Sequence, residues 1–333
     1  MRYVIVGTGA AGATAARTIK RMDRDGEVVI IGDERFFPYN RYLLTEFLSG
    51  AVSAAELFHT SEEFFEAMDI RLRKGQAVER VYPNDKTIRF AHNEVMSYDR
   101  LLIATGRSPS LGPVLRPYAK LIQRYYTFED ILLIQKRLPE VREVIVSGRG
   151  LSALDLIQGM YRVGKKITYI TRGQAIDVST VESHLMGDLD SALAEREINF
   201  VHDDRIVAIE CVDNRYLVKT FQGKELWGDL VFAWDNYTPN VGCLRNTGIE
   251  VKTGILVDLR MRSSAPEVYA AGDCVEIYHP TLKNYWINFG WPNAVEQGRI
   301  AGKNMAGDNE EYQIHETTLF NILGKPLEAR WWD

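Results

Sequence analysis

The chain has 333 residues, 46% of them apolar and 26% charged, enough for about two domains of ~150 residues whose cores need no staples. With 40 basic against 45 acidic side chains, a formal charge of −5 and no block of like charge, it has no electrostatic footprint for nucleic acid or anionic lipid. Cys211, Cys243 and Cys274 form no CxxC or CxxxxC pair, which excludes a metal knuckle or neighbouring redox dithiol, and their odd number suits a reducing compartment.

The first segment, MRYVIVG, lacks the basic and long apolar regions of a signal peptide, and no apolar run reaches the ~18 residues of a membrane span. A cytoplasmic protein is expected. RYVIV (2–6) predicts a buried strand, 10–22 a helix with Ala15, Ala16 and Ile19 inward, and EVVII (27–31) the next strand. Short Val/Ile runs alternating with helical patterns point to a parallel sheet covered by helices. Between strand and helix stands Gly7-Thr8-Gly9-Ala10-Ala11-Gly12. Gly7 suits the tight turn, Gly9 the approach of backbone to a pyrophosphate, and Gly12 close packing of helix on strand. The helix opening at Ala10 and Ala11 brings N–H groups and positive dipole to the phosphates. Asp33 and Glu34 follow about twenty residues later, either as ribose acceptors or as solvated loop carboxylates.

Further on, 76–92 and 205–222 alternate as meander hairpins, with turn chemistry at Pro83-Asn84-Asp85 and Gln222-Gly223. The strand–loop–helix unit then repeats as VREVIVSG (141–148), a helix over 151–163 and KKITYI (165–170). Its loop, Gly148-Arg149-Gly150-Leu151-Ser152-Ala153, keeps the two phosphate-proximal glycines. Two copies with different loop residues imply two nucleotide sites. Near the end, Trp291-Pro292 precedes a helical pattern with Ala294, Gly298 and Ala301 on one face. The six histidines show no HExxH spacing, and no GxSxG elbow or Walker A loop occurs. No metal site is expected.

Four separated segments, VIVGTGAAG (4–12), PYNRYLLTE (38–46), YDRLLIATGRSP (98–109) and EVYAAGDC (267–274), with WPNAVEQGRIAGKNMAG (291–307) after them, resemble the pyridine nucleotide-disulfide oxidoreductase superfamily. The nearest likeness is to its rubredoxin reductase and nitrite reductase flavin-domain branch. The resemblance implies an α/β fold of two Rossmann-like domains: a discontinuous FAD domain (1–112 and 240–315), an inserted NAD(P)-binding-like domain (113–239), and a short tail (316–333). It implies FAD on the first loop, with Arg41 near the pyrophosphate and Ala77-Val78 on the adenine side. Ala104-Thr105-Gly106 would pass beside the cofactor, Gly272 would make room for it, and Asp273 would accept from ribitol hydroxyls. Trp291 and Pro292 would open a helix aimed at the flavin, with Trp291 flanking the ring or serving as a core tryptophan.

Departures from the family narrow the chemistry. The helix that carries redox cysteines in disulfide reductases reads Arg41 to Glu46 here, so disulfide chemistry is not expected. Glu46 replaces the lysine of the oxygenase-reductase branch and either faces the flavin or lies in solvent. In the second site Asp155 stands for the usual glutamate, and Thr171-Arg172 for the acid that receives the 2′-hydroxyl in NADH users. Arg172 is a surface residue or a partner for a 2′-phosphate, which leaves NADH against NADPH open. The family's AxGxxPN is degraded to AWDNYTPN (233–240). Family members continue past the equivalent of Gly324 into a dimerisation domain that is not expected here, and Trp331-Trp332 are expected to dock on the body or on another subunit.

The expected function is an FAD-dependent oxidoreductase passing hydride from NAD(P)H to flavin and electrons onward to a rubredoxin-, ferredoxin- or iron–sulfur-type redox protein. The competing expectation is a non-catalytic FAD-containing electron-transfer subunit of a larger redox complex, with a vestigial nicotinamide site.

Overall fold

The computed structural model describes residues 1–58, 60–172, 183–280, 283–313 and 317–330, with backbone alone at 183–188, 317–322 and 325–330. Trp331-Trp332 lie outside the described residues. The first segment builds β1 (Arg2–Val6), α1 (Ala10–Met22) and β2 (Glu27–Ile31). Val4, Ile5, Val29 and Ile30 are buried, the near-continuous apolar reading of strands covered on both faces. Short helices α2 (Leu44–Leu48), α3 (Ala54–Leu57) and α4 (Glu62–Ala67) lead to β3 (Ile70–Arg73). A meander of β4 (Val78–Tyr82), β5 (Thr87–Phe90) and β6 (Val95–Ser97) precedes β7 (Arg100–Ile103) and β8 (Arg107–Ser110).

The second unit starts with α5 (Phe128–Arg137), capped by Thr127 and Asp130. It continues through β9 (Glu143–Ser147), α6 (Leu151–Arg162), β10 (Lys166–Ile170), α7 (Ser183–Ala194) and β11 (Asn199–Val201). The meander β12 (Ile206–Val212), β13 (Arg215–Thr220), β14 (Glu225–Gly228) follows, then β15 (Leu230–Ala233) and β16 (Asn236–Pro239). Gln222-Gly223 joins β13 to β14, while the preceding hairpin turns at Asp213-Asn214, both left-handed with φ of 48° and 62°, the geometry of a type I′ turn.

The chain then returns to the first unit with β17 (Ile255–Val257), β18 (Val268–Ala270), β19 (Val275–His279), β20 (Asn284–Trp286) and α8 (Trp291–Met305). Two parallel sheets result, in the orders β18-β7-β1-β2-β3 and β11-β10-β9-β15. Antiparallel β8 and β16, with Arg107 opposite Pro239, pair where the chain leaves and re-enters the first unit. A buried cluster joins Tyr39, Leu44 and Leu57 of the first segment to Leu154, Ile157 and Phe232 of the second.

Residues 317–330 form a hairpin of β21 (Thr317–Ile322) and β22 (Lys325–Arg330). Its turn residue Leu323 is buried, donates its N–H to Gln158 Oε1 at 2.8 Å and accepts from Arg196 at 2.7 Å. Two backbone bonds and one apolar side chain thus seat the hairpin on α6 and α7.

Helix α8 lies on α1 with almost nothing between the backbones. A Cβ on Gly298 would sit 2.2 Å from the Ala11 carbonyl oxygen, and one on Gly302 2.8 Å from that of Ala15. Gly298→Ala should therefore cost about 3 kcal/mol, because backbone on both sides must give. Gly242→Ala, whose Cβ meets nothing within 4 Å, should stay within about 0.5 kcal/mol. Urea unfolding of the two variants checks this.

Candidate functional site

The first glycine loop lies at the carboxyl edge of its sheet, where β1 is flanked by β2 and β7. Gly7 has φ of +119°, and a Cβ there would stand 2.0 Å from the Ala104 carbonyl oxygen. A Cβ on Gly12 would stand 1.9 Å from the Gly7 oxygen, whereas one on Gly9 would meet nothing within 4 Å. Gly7 and Gly12 are therefore glycine for the fold, and Gly9 faces open space. Helix α1 starts there with no side-chain cap, leaving its first N–H groups for an external acceptor. A cavity of about 120 Å³ opens beside the loop, lined by Thr8, Gly9, Ala10, Tyr39, Asn40 and Trp291. Open backbone, orphan donors and a cavity fit the phosphates of a dinucleotide.

Other segments converge on this edge. Ala104 follows β7 and donates its N–H to Val6 O at 2.7 Å. Gly106 is left-handed at φ of +64°. Asn240 clamps the turn: its Nδ2 donates to Thr105 O at 2.9 Å, its N–H to Gly106 O at 2.9 Å, and Thr105 Oγ1 donates to its carbonyl at 2.7 Å. Gly272, at φ of +85°, donates to Gln297 Oε1 at 2.7 Å, and Gln297 Nε2 donates to Asn288 O at 2.9 Å. Asp273 accepts from the Gly290 N–H at 3.0 Å and lies 3.5 Å from Arg107 Nε. Each carboxylate oxygen has two lone-pair sites, so Asp273 keeps accepting capacity. Trp291 and Pro292 begin α8, whose N-terminus carries no side-chain cap, and Trp291 meets Tyr42 edge-to-face at 5.0 Å.

The acids after β2 are separated by their partners. Glu34 pairs with Arg41 at 2.6 Å and accepts from the Tyr39 hydroxyl at 2.8 Å. Arg41 also lies 4.3 Å over the Tyr126 ring. Asp33 is exposed. Gln76 ties to Gly32 O at 2.8 Å, which brings Ala77, exposed, and Val78, half-buried, beside the end of β2.

In the second loop Gly150 has φ of +83° with open space at its Cβ, and α6 begins without a side-chain cap. Ala153 is fully buried under the loop. The Cβ direction of Gly148 is filled by the indole of Trp234, 2.7 Å away. Thr171 is buried, and Arg172 pairs with Asp235 at 3.1 Å. Sequence reasoning overlooked Arg107, Trp234, Asn240 and Gln297. Its available signals were the motif ends AWDNYTPN and VEQGR.

Between the folds, Asp155 of α6 receives hydrogen bonds from Thr45 of α2 and from Tyr125, the latter at 3.1 Å. Glu46, beside Thr45, pairs with Arg162 at 3.7 Å, and its other oxygen is buried with no hydrogen-bond partner among the described residues. Burial, opposed by the Thr45 bond and reinforced by Glu46, pushes the Asp155 carboxyl up to about 6. None of the three cysteines lies in α2 or beside Gly9. Cys243 and Cys274 are buried, which raises both thiols, Cys243 to about 11, and Cys211 is exposed on β12.

The model of the pyridine nucleotide-disulphide oxidoreductase family matches residues 1–298. The chain belongs to this family. It is 26% identical over 305 residues to the 3-phenylpropionate/cinnamic acid dioxygenase ferredoxin–NAD(+) reductase component of Photorhabdus laumondii, covering 92% of this chain and 77% of that one. It is 26% identical over 318 residues to the assimilatory nitrate reductase electron transfer subunit of Bacillus subtilis, covering 94% of this chain and 40% of the relative. A NAD-dependent persulfide reductase structure from A. fulgidus superposes with a TM-score of 0.90 at 24% identity, over 97% of this chain and 62% of that one. As a family member the chain is an electron-transfer oxidoreductase of the flavin and pyridine-nucleotide class. Among the described residues no helix is long and apolar enough to cross a membrane.

Asp155 gives the junction a pH dependence. Its folded value lies above the ordinary 3.8, so the native state binds the proton more tightly and stability falls as pH rises from about 4 through about 6, then levels. Asp155→Asn should remove this loss, on the order of 3 kcal/mol at pH 7. Urea midpoints of both flavin-loaded proteins across pH 4–8 measure it.

Proposed function

We propose that the chain holds FAD on the first glycine loop, takes electrons from NADH on the second, and passes them to a ferredoxin-, rubredoxin- or iron–sulfur-type redox protein. The observation that carries this is the pair of uncapped glycine loops at the carboxyl edges of two parallel sheets, with no thiol beside the first. We assign the FAD-binding domain to 1–112 and 240–315 and the nicotinamide domain to 113–239, divided at the β8–β16 ladder. A flavin bound at the first loop supplies the conversion of a two-electron donor into single-electron deliveries.

The residues divide the holding of it. Gly7 and Gly12 fix the turn, Gly9 gives the pyrophosphate room, and the N–H groups from Ala10 onward receive it. Asp33, which is exposed, and Glu34, which keeps a lone pair on each oxygen beside Arg41 and Tyr39, take the ribose; Arg41 acts by holding Glu34 and Tyr126 rather than as a free cation. Asp273, held by Gly290 and Arg107, orients the ribitol chain. The N-terminus of α8, with Pro292 in its first turn, places positive dipole where negative charge grows on reduction. NADH is preferred because Arg172 is paired with Asp235 and Thr171 is buried, which leaves neither of these two residues as a ready partner for a 2′-phosphate.

The competing reading is a flavin subunit fed by protein contacts, and the indole laid on Gly148 favours it. Anaerobic mixing separates the two. An NADH oxidoreductase should bleach with NADH at least about tenfold faster than with NADPH, a barrier difference near 1.4 kcal/mol. A protein bleached by dithionite but by neither nucleotide would be the subunit. Gly9→Val makes a sharper test of the cofactor site: its Cβ clashes with nothing, so the variant should fold with unchanged melting temperature in the absence of FAD yet purify colourless. Alkylation of the exposed Cys211 should leave the bleaching rate unchanged, because no thiol takes part.

A further inference from the structure

The two folds use one backbone position differently. After β7 stands Ala104, whose N–H donates to Val6 O at 2.7 Å; after β15 stands Trp234, whose N–H donates to Ser147 O at 3.0 Å. Each residue abuts the first glycine of its loop, Ala104 by its carbonyl at Gly7 and Trp234 by its ring at Gly148. Where the first fold has a methyl group, the second lays an indole across the turn. Trp234 is 6% exposed, and its Nε1 has no hydrogen-bond partner among the described residues. Packing against the turn, rather than a polar bond of the indole, therefore holds the ring in place.

The strand order says which part of a dinucleotide meets that ring. The sheet runs β11-β10-β9-β15 with the loop after β9. In such a fold the adenosine ribose is read at the end of the strand following the loop's helix, here β10, which ends beside Thr171. The pyrophosphate rests on the helix N-terminus, so the other half runs to the opposite side, over the end of β15. Trp234 is the first residue there. The next residue, Asp235, is fixed by Arg172 at 3.1 Å and by the Gly112 N–H at 2.7 Å.

We propose that Trp234 is a specificity-determining residue of the second fold: its indole occupies the space of the nicotinamide-side ribose. The resting site then accepts the ADP-ribose portion of the nucleotide and admits the nicotinamide half only by displacing the ring from Gly148. This rests on the nicotinamide reading of the second fold given above.

The test is calorimetric titration of the flavin-loaded full chain with ADP-ribose and with NAD+, the oxidised form that avoids turnover. Wild type should bind the two within about threefold of each other, whereas Trp234→Ala should bind NAD+ at least about tenfold more tightly with ADP-ribose unchanged. Trp234→Leu keeps apolar bulk in the core and should shift the ratio in the same direction; flavin spectrum and melting temperature certify that both variants are folded. Wild type binding NAD+ tenfold more tightly than ADP-ribose, or folded variants with an unaltered ratio, overturns the proposal while the nicotinamide reading stands. If no protein binds either ligand, that reading fails and the proposal falls with it.

Discussion

Everything at the first site depends on backbone meeting backbone. Gly7 lies under the Ala104 carbonyl, Gly12 over the Gly7 carbonyl, and Gly298 on the Ala11 carbonyl, each at a separation no β-carbon tolerates. Steric exclusion at these three points brings β1, β7, α1 and α8 to one edge. Only then do the uncapped N-termini of the two helices and the turns at Gly106 and Gly272 gather at that edge. Gly9 differs from these three, since no described atom would meet a β-carbon there and its φ of −70° is open to any residue.

Against that frame of glycine and small residues, the second fold is an unequal copy. It repeats the strand, the loop, the uncapped helix and the returning strand, and keeps Gly150 open. It differs where the returning strand ends, with aromatic bulk in place of alanine and an Asp235–Arg172 pair beside it. The junction between the folds also holds two acids close together: burial and the neighbouring Glu46 favour the protonated form of Asp155 against the hydroxyl donors of Thr45 and Tyr125, while Glu46 pairs with Arg162.

What the sequence made legible was local. The strand and helix bounds at 2–6, 10–22 and 27–31, and the helix read over 151–163 that ends at Arg162, follow from apolar periodicity and from glycine loops whose spacing is a property of one βα turn. Partner choices across long separations were not legible. Glu34 and Asp33 look alike in sequence, and only Arg41 and Tyr39, placed by their own turn, tell them apart. Asp155 meets Thr45 across 110 positions, and the hairpin at 317–330 is recognisable only once Gln158 and Arg196 stand beside its turn. The turn at Asp213-Asn214 carried a signal, two residues that tolerate the left-handed region, but lay inside 205–222, a meander hairpin whose turn chemistry was read at Gln222-Gly223 alone.

The order of strands in the first sheet also bears on how the protein is made. Its edge strand β18 and its covering helix α8 come from residues 268–305, long after β1 and β7. The second sheet draws only on residues 143–233. A ribosome therefore releases every strand of the inserted unit's sheet while the earlier-begun unit still lacks a wall, leaving Ala15 and the outer edge of β7 uncovered. Vectorial synthesis makes the middle of this chain the part that closes first. The amino-terminal fold, whose closure needs Gly298, follows, and the hairpin at 317–330 seats on α6 and α7 after it.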